Sequence, residues 1–422
     1  MSELSRRTIW LGFVRGSLGT GAAVGARAGG VLLLNKLVAL YGGPGGLTML
    51  AQFQNLMALF GAVPADGIQA GATARLAPLQ PGSGRYRAWL GAALGLTAAA
   101  VALAGLLLLA LGGAQWPAGQ ALLFAAAMLL VAWQALLTTA LLAAGRRGDY
   151  VRQSLALSVL GVGAAATGLW LGWPLRGVLL AYVAGQAITL PLVGWSARRA
   201  GLLRGLRLQA PASRLARAGL LRFVLMALGS LVFGRAVDYA VRDWLLAHFG
   251  AATDLWQAVA KLSDAYTPVL AAVLSTVFYP RLAALAGQPA AARRYLWAVL
   301  ALLAVGLALG LGALYALRDW LLPLLFAPRL LAARALLGPQ LLGDWAKFLS
   351  WVLLYPLLVR ARPLPYLAVQ AVATGAQVAL LVLLLPRYGL AGTVLAHAGT
   401  YGLLLLGCML GTRWRQPAGT NG

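Results

Sequence analysis

Apolar residues recur along the chain in twelve long runs, and short polar segments rich in arginine separate one run from the next. Each run supplies the roughly 20 apolar residues that an α-helix needs to cross a bilayer. The pattern therefore predicts about twelve transmembrane helices. Their expected positions are 10–40, 47–74, 88–112, 119–144, 153–172, 177–197, 223–247, 255–280, 295–317, 335–359, 364–386 and 390–412.

The composition agrees with an all-α integral membrane protein. Hydrophobic residues make up 61% of the 422 positions and charged residues only 10%, whereas soluble domains carry about 25% charged residues. The 52 glycines also fit membrane helices, in which small residues allow close packing. Cys408 is the single cysteine, and His248 and His397 lie far apart in sequence, so we expect neither a metal site nor a bound cofactor.

A net charge of +25 would suggest nucleic acid as the partner of a soluble protein, but its distribution favours another explanation. Of the 34 basic residues, 22 fall in the termini and loops of one side, five in the loops of the other side, and seven inside the predicted helices. Such asymmetry is the positive-inside pattern. It predicts that both termini lie in the cytoplasm and that membrane lipids, not nucleic acids, surround the chain.

The longest polar stretch, 198–222, contains seven arginines and no acid. It divides the predicted helices into two sets of six. We therefore expect an N-terminal lobe over 1–200, a basic cytoplasmic linker over 201–222 and a C-terminal lobe over 223–422. No loop is long enough for a separate domain, and the nine acids form no external cluster typical of general acid–base chemistry. The sequence thus predicts no catalytic residues and no enzyme.

The two halves match each other in register. Gly42 follows Arg27 by fifteen residues, and Gly250 follows Arg235 by the same interval. A second match pairs 75–79 with 281–285 at nearly the same offset. Because each half has six helices, both halves begin on the same side and should be parallel repeats with a substrate path between them. Chance similarity in a chain so rich in leucine and alanine is the alternative.

Seven basic residues inside the predicted helices are candidates for function, because a charge at a helix centre costs at least ~2.5–3.5 kcal/mol. They are Arg15, Arg27, Lys36, Arg235, Arg242, Lys261 and Lys347. Arg15 and Lys36 lie near enough to helix ends to snorkel. Arg27 and Arg235 would suit a phosphate or pyrophosphate, since a guanidinium offers paired donors and keeps its charge when desolvated.

The acids inside the predicted helices are Asp66, Asp238, Asp243, Asp264 and Asp344. All of them except Asp243 are candidates for a charge network or for coupling transport to ions. Asp238 shares a helix face with Arg235 and Arg242. Asp264 follows Lys261 by three residues, and Asp344 precedes Lys347 by three; holding helices together is the alternative role for both pairs. The seven cations outnumber the five acids, which favours an anionic substrate.

Three stretches of sequence carry a family resemblance. The first runs from Lys36 through Gly42-Gly-Pro-Gly-Gly46 to Gln52-Phe-Gln-Asn55. The second combines Arg242-Asp-Trp244 with 256–266 and 274–282, and the third is Gly343-Asp-Trp-Ala-Lys347 followed by Ser350-Trp351. They resemble Wzx-type O-antigen and lipid III flippases, of the polysaccharide transporter family in the multidrug/oligosaccharidyl-lipid/polysaccharide exporter (MOP) superfamily. The stretches occur in order in both halves, so the resemblance covers nearly the whole chain.

The resemblance implies a MATE-like fold of two six-helix lobes in the bacterial inner membrane. It also implies translocation of an undecaprenyl-pyrophosphate-linked oligosaccharide, such as an O-antigen or enterobacterial-common-antigen repeat unit. Family charges carry over to Lys36, Arg242, Lys261, Asp264, Asp344 and Lys347, and less closely to Arg27. Arg235 and Asp238 are particular to this chain, and Gln370 stands where relatives often have an acid. We expect a monomer, with polysaccharide polymerase machinery as a further partner.

The expected mechanism is alternating access of the two lobes around a cationic cavity, with H⁺ or Na⁺ coupling left open. Pro64, Pro268 and Pro356 are candidate bend points, and Asp66 is expected beside the first of them. A multidrug antiporter of the same superfamily is the leading alternative, which an excess of buried acids would have favoured. A membrane enzyme of glycan assembly is a second alternative, which the missing catalytic loops disfavour.

Overall fold

The computed structural model describes residues 28–76, 79–112, 116–205, 214–231, 236–274, 288–359 and 363–411, together with Phe278, Leu282 and Leu285. Every regular element within these residues is a helix, and no strand occurs among them. The all-α prediction is therefore confirmed for the part of the chain that the structure describes.

Helices fill most of the described chain before residue 205. They are α1 (Ala28–Tyr41), α2 (Gly46–Ala62), α3 (Ala70–Leu76), α4 (Gly84–Leu111), α5 (Ala118–Ala143), α6 (Arg147–Trp170), α7 (Leu175–Ala187) and α8 (Thr189–Arg199). A π-helical turn over Val63–Gln69 joins α2 to α3 without a break. The hydroxyl of Ser83 accepts a hydrogen bond from the Tyr86 N–H and so caps the start of α4.

Helices also dominate the described chain after residue 213. They are α9 (Arg214–Ser230), α10 (Val237–Phe249), α11 (Thr253–Val273), α12 (Pro289–Ala316), α13 (Arg318–Leu325), α14 (Arg334–Val359), α15 (Pro363–Tyr388) and α16 (Ala391–Gly411). Short 3₁₀ turns, Gly250–Ala252 and Pro328–Ala333, lead into α11 and α14.

Among the described residues, eight stretches of helix are long and apolar enough to cross a membrane. They are Gly46–Thr73, Gly84–Leu111, Ala118–Ala143, Gly148–Trp170, Leu175–Arg199, Pro289–Ala316, Leu367–Tyr388 and Ala391–Leu410. Large apolar side chains such as Leu302, Leu309 and Val372 stay exposed on them, as expected for surfaces that contact lipid. These eight stretches match eight of the predicted spans, whereas the number twelve and the cytoplasmic termini stay predictions.

The π-helical turn lies where Pro64 predicts a bend. Proline has no N–H to donate to the preceding turn, and a widened turn accommodates the missing bond. Asp66 sits within this turn, and its side chain is exposed.

Helix α9 packs tightly against the π-helical turn. A Cβ atom added at Gly67 would lie 3.0 Å from Val224 Cα, so only glycine permits this approach. Leu220 of α9 is fully buried in the same apolar cluster as Leu90 of α4. The apolar face of α9 thus completes this core. The helix begins at Arg214, within the stretch 201–222 that the sequence predicts as a linker.

The chain forms two compact units. The first contains the described residues up to 42 and those from 49 to 241, and the second contains 43–48 and the described residues from 242 onward. The division falls within α10, after the predicted linker, and the short segment before α2 belongs to the second unit. The six-helix lobes over 1–200 and 223–422 stay a prediction.

Candidate functional site

The predicted charged residues fall into three groups. Arg27 and Arg235, together with Arg15, lie outside the described residues. Lys36, Asp66 and Asp238 belong to the first unit. The second unit holds Arg242, Lys261, Asp264, Asp344 and Lys347, and two clusters form among these residues and their neighbours.

The three candidates of the first unit differ in exposure. Lys36 is half-buried on α1, whereas Asp66 and Asp238 are exposed. Each of them has a polar or electrostatic partner. The structure thus leaves open whether they bind a substrate or hold helices together.

Arg242 extends from α10 toward α11. Its Cζ lies 5.8 Å from the centroid of the Trp256 ring, which is a cation–π distance. Its Nε is buried and has no hydrogen-bond partner among the described residues. A buried N–H without an acceptor is costly, and an anionic oxygen would supply the missing bond.

Lys261 lies on α11 and is only 7% exposed. Its ammonium is 3.9 Å from the carboxylate of Asp264, which is 59% exposed and therefore well hydrated. The positive charge of Arg242 is close enough to oppose that of Lys261. A buried ammonium and a half-buried guanidinium so close together favour an anion as ligand. We refer to Arg242, Trp256, Lys261 and Asp264 as the cation cluster.

Asp344 is the centre of a second cluster and is completely buried. Its Oδ2 accepts hydrogen bonds from the hydroxyls of Ser263 and Tyr266, each at 2.5 Å. Its Oδ1 lies 3.0 Å from Nε2 of His397 on α16. Gln340, one turn before Asp344 on α14, donates to Ser263 Oγ at 3.2 Å. These five residues are the carboxylate cluster, and they connect α11, α14 and α16.

Gly343 brings α14 and α16 together at this cluster. A Cβ atom on Gly343 would collide with the ring of His397 and would lie 3.0 Å from Ala398 Cα. The absence of a side chain therefore lets the imidazole of His397 lie against α14, within reach of Asp344.

Lys347 lies one helical turn after Asp344, but the two described residues form no ion pair. Asp344 attracts Lys347 electrostatically, while its oxygens are bonded to the groups of α11 and α16. The ammonium of Lys347 lies instead 5.5, 5.4 and 5.9 Å from the ring centroids of Phe348, Trp351 and Tyr401. Cation–π contacts of this kind hold a charge in an apolar region and leave its N–H donors able to bind an anion.

Sequence reasoning missed the role of His397. A histidine within an apolar run was the available signal, but its partner Asp344 lies 53 residues earlier in the chain. Spacing rules detect partners on one helix face and give no information about a contact between two helices. Ser263 and Tyr266 lay within a motif that carries the resemblance, and Gln340 lay outside the motifs.

Asp254 anchors the start of α2 within the second unit. Its Oδ1 accepts hydrogen bonds from the backbone N–H and the hydroxyl of Thr48, at 2.7 and 2.6 Å. Arg329 donates to the carbonyl of Gly43 at 2.7 Å. The segment 43–48 is thereby tied to α11 and to the turn before α14.

Comparisons with known proteins agree with the motif resemblance. No family model matches the chain. The lipid III flippase of Escherichia coli is 28% identical over 432 residues, covering 97% of this chain and all of that protein, and the lipid III flippase of Shigella flexneri gives the same figures. The predicted resemblance to this group of flippases is therefore confirmed.

Solved structures of transporters share the fold. The lipid II flippase MurJ in an inward closed conformation has a TM-score of 0.66 at 10% identity, covering 94% of this chain and 87% of that one. An inward-facing MATE family transporter of the MOP superfamily scores 0.64 at 12% identity, with 92% and 94% covered. The MATE transporter VcmN of Vibrio cholerae scores 0.61 at 15% identity, with 94% of each chain covered. The fold is therefore MATE-like.

All of these relatives are flippases or transporters, and none is an enzyme. The apolar helices and the similarity along the whole chain identify a multi-pass protein of the bacterial inner membrane, as the sequence predicts.

Proposed function

We propose that this chain is a flippase that moves an undecaprenyl-pyrophosphate-linked oligosaccharide from the inner to the outer leaflet of the bacterial inner membrane. The observation that carries the proposal is the similarity to lipid III flippases, which extends over 97% of this chain and all of those proteins. The glycan would be an O-antigen or enterobacterial-common-antigen-like repeat unit.

The cation cluster supports an anionic headgroup as the ligand. Arg242 has a buried N–H without an acceptor among the described residues, and Lys261 is a buried ammonium beside it. A pyrophosphate would supply that acceptor and would be attracted by the charge of Lys261, because its oxygens accept charge-assisted hydrogen bonds from several donors at once. We propose that Arg27, Lys36, Arg235 and Lys347 contribute further positive charge to the same ligand.

Aromatic rings near the cations suit the sugar part of the ligand. Trp256 lies beside Arg242, while Trp351 and Tyr401 surround the ammonium of Lys347. These rings offer flat apolar faces next to charged donors, a combination that fits a sugar joined to a pyrophosphate.

We propose that transport proceeds by alternating access of two lobes and is coupled to an ion gradient. Asp66, Asp238, Asp264 and Asp344 are the candidate members of the charge network that responds to the ion. The π-helical turn at Pro64 and the prolines within α11 and α14, Pro268 and Pro356, are positions where helices could bend. The chain would act as a monomer and deliver its product to polysaccharide polymerase machinery.

The proposal can be tested in the native host after deletion of the gene. We expect lipid-linked oligosaccharide to accumulate in the inner leaflet and the wild-type gene to restore its export. Arg242→Ala and Lys261→Ala should reduce export by about 30-fold or more, because losing a desolvated charge contact costs about 2–5 kcal/mol. Arg27→Ala and Arg235→Ala should have the same effect if they face the same ligand.

Arg294→Ala is the matched control, because it removes one positive charge from an exposed position of α12 in the same unit. Its export should equal that of the wild type. Normal export in the deletion strain would refute the flippase. Full export by the Arg242 and Lys261 variants, at wild-type protein levels, would refute the cation cluster as the headgroup site. A multidrug antiporter would instead show as drug sensitivity with unchanged oligosaccharide export.

A further inference from the structure

The carboxylate cluster holds a buried aspartate against a partly accessible histidine. Asp344 is 0% exposed, whereas the side chain of His397 is 18% exposed. The imidazole is therefore the accessible member of the pair, and the carboxylate is the sealed one. Three helices contribute to the arrangement, so its state of protonation affects the packing of α11, α14 and α16 together.

The hydrogen bonds around Asp344 have a consistent direction. Gln340 donates to Ser263 Oγ, and Ser263 and Tyr266 each donate a hydroxyl hydrogen to Asp344 Oδ2. An ionised carboxylate can accept both of these bonds, and we take Asp344 to be ionised in this state. If Asp344 is ionised, Nε2 of His397, 3.0 Å from Oδ1, is the third donor, and Nδ1 of the ring is then the atom that can take up a further proton.

We propose that Asp344 and His397 form a proton-binding site that couples proton uptake to binding of the anionic headgroup. This inference rests on the proposed flippase function. With His397 neutral, the pair carries one negative charge. One proton on Nδ1 converts the imidazole to imidazolium, and the pair becomes neutral with no bond to Asp344 broken. Histidine suits this task because one ring nitrogen can bind a proton while the other keeps its hydrogen bond.

The groups that face the pair come from few elements. Helix α11 contributes Ser263 and Tyr266, with Lys261 and Asp264 on the same helix, and α16 contributes His397 and Tyr401. Helix α14 itself contributes Lys347 and Gln340. Helix α12 meets α14 through a hydrogen bond from the Trp345 indole to the Ala304 carbonyl, and its described titratable residues lie toward its ends: Arg293, Arg294, Tyr295 and Tyr315.

The other elements next to α14 carry their described titratable residues near their ends. They are Arg318 and Asp319 of α13, Arg329 of the turn before α14, and Arg387 and Tyr388 of α15. Apart from His397 itself, Lys347 is the cation whose charge acts on Asp344 among these described residues. Neutralising the pair therefore removes the negative charge that offsets Lys347.

This charge change fixes the sign of the coupling. With the pair neutral, the positive potential of Lys347 is no longer opposed, and an anionic headgroup binds more tightly. By linkage, binding of the headgroup then raises proton uptake by the same factor. We assign the site to H⁺ because an imidazole nitrogen binds a proton, whereas hard cations such as Na⁺ prefer oxygen ligands.

Direct observation of His397 tests the site itself. The chain has only two histidines, so ¹⁵N-histidine labelling of the full-length protein in nanodiscs gives two sets of ring signals. His248→Gln removes the other set and is the matched control. We expect the ring signals of His397 to change from the neutral to the imidazolium pattern between pH 8 and pH 5, with no change on replacing K⁺ by Na⁺. Constant signals across this range, or a response to Na⁺, would overturn the proposal.

Binding of undecaprenyl pyrophosphate to the same nanodiscs tests the coupling. Between pH 8 and pH 6 the wild type should gain about fivefold or more in affinity relative to His397→Gln, the lower end of usual coupling between sites. Glutamine can still donate to Asp344 Oδ1 but cannot take up a proton, so the substitution keeps the bond and removes the titration. Equal pH dependence in the wild type and His397→Gln would refute the coupling.

The two proposals fail in distinguishable ways. Normal oligosaccharide export in the deletion strain would refute the flippase and leave the His397 signals to be judged by themselves. An unchanging His397 in a protein that restores export would refute the proton site alone.

Discussion

Thr48 donates two hydrogen bonds to a single oxygen of Asp254, one from its backbone N–H at 2.7 Å and one from its hydroxyl at 2.6 Å. Both residues are buried, at the point where α2 begins. Asp254→Ala would leave both donors unpaired, and a hydrogen bond to a charged group contributes about 1.5–3 kcal/mol. We expect a clear fall in the melting temperature of the purified protein in detergent.

Asp319→Ala is the control for this experiment, since Asp319 forms an ion pair with Arg334 in which both side chains are more than half exposed. Such pairs contribute about 0–1 kcal/mol, so the melting temperature should hardly change. Equal effects of the two substitutions would contradict the importance of the Asp254 anchor.

Gly343→Ala should loosen the contact between α14 and α16. The added methyl would meet His397 and the backbone of Ala398, and overpacking of this kind costs about 1–3 kcal/mol. Gly402→Ala in α16 meets no atom within 4 Å and should be neutral or slightly stabilising. Thermal unfolding of both variants measures the difference. A stable Gly343→Ala variant with an unchanged His397 spectrum would contradict the packing argument.

Asp264→Asn should tighten the binding of undecaprenyl pyrophosphate. The substitution removes the counter-charge 3.9 Å from Lys261, so the lysine attracts an anion more strongly. Because Asp264 is largely solvated, the gain should be about two- to fivefold, the range of a partly exposed ion pair. Titration in nanodiscs measures it. Weaker binding would show that Asp264 supports Lys261 instead of opposing the ligand.

The predicted topology can be tested with single cysteines. Cys408→Ser gives a chain without cysteine, because Cys408 is the only one. In that background, Arg204→Cys should react with a membrane-impermeant maleimide only from the cytoplasmic side, and Arg318→Cys only from the opposite side. Labelling of intact spheroplasts and of inverted vesicles distinguishes the two. Reaction of both cysteines from one side would contradict the positive-inside assignment.

The sequence predicts the helices well, because apolar runs bounded by arginines reflect the demands of the bilayer on each segment. It also indicates the changed helix geometry at Pro64. Helix α9 begins at Arg214, within the predicted linker, with a basic, amphipathic turn that hydropathy does not separate from a loop, and the division into lobes and linker stays a prediction. Close packing through Gly67 is what brings that helix into the first unit.

The candidate site was predicted only in part. The charges of α10, α11 and α14 stand out in the sequence because ions inside an apolar run are costly. The pairing of Asp344 with His397 cannot be seen in the sequence, since it depends on how α14 packs against α16 at Gly343. Arg27 and Arg235 suggest a repeat, and both lie outside the described residues, so that part stays a prediction.

The anchor between Thr48 and Asp254 also bears on how the protein is made. The two residues are 206 positions apart, so the ribosome completes α1 and α2 long before it reaches Asp254. At about 5–20 residues per second, Thr48 waits about 10–40 s in the nascent chain for its acceptor. The hydrogen bonds at the start of α2 can therefore form only after Asp254, at the start of α11, has been synthesised. An early part of this chain thus depends on a late part to finish folding.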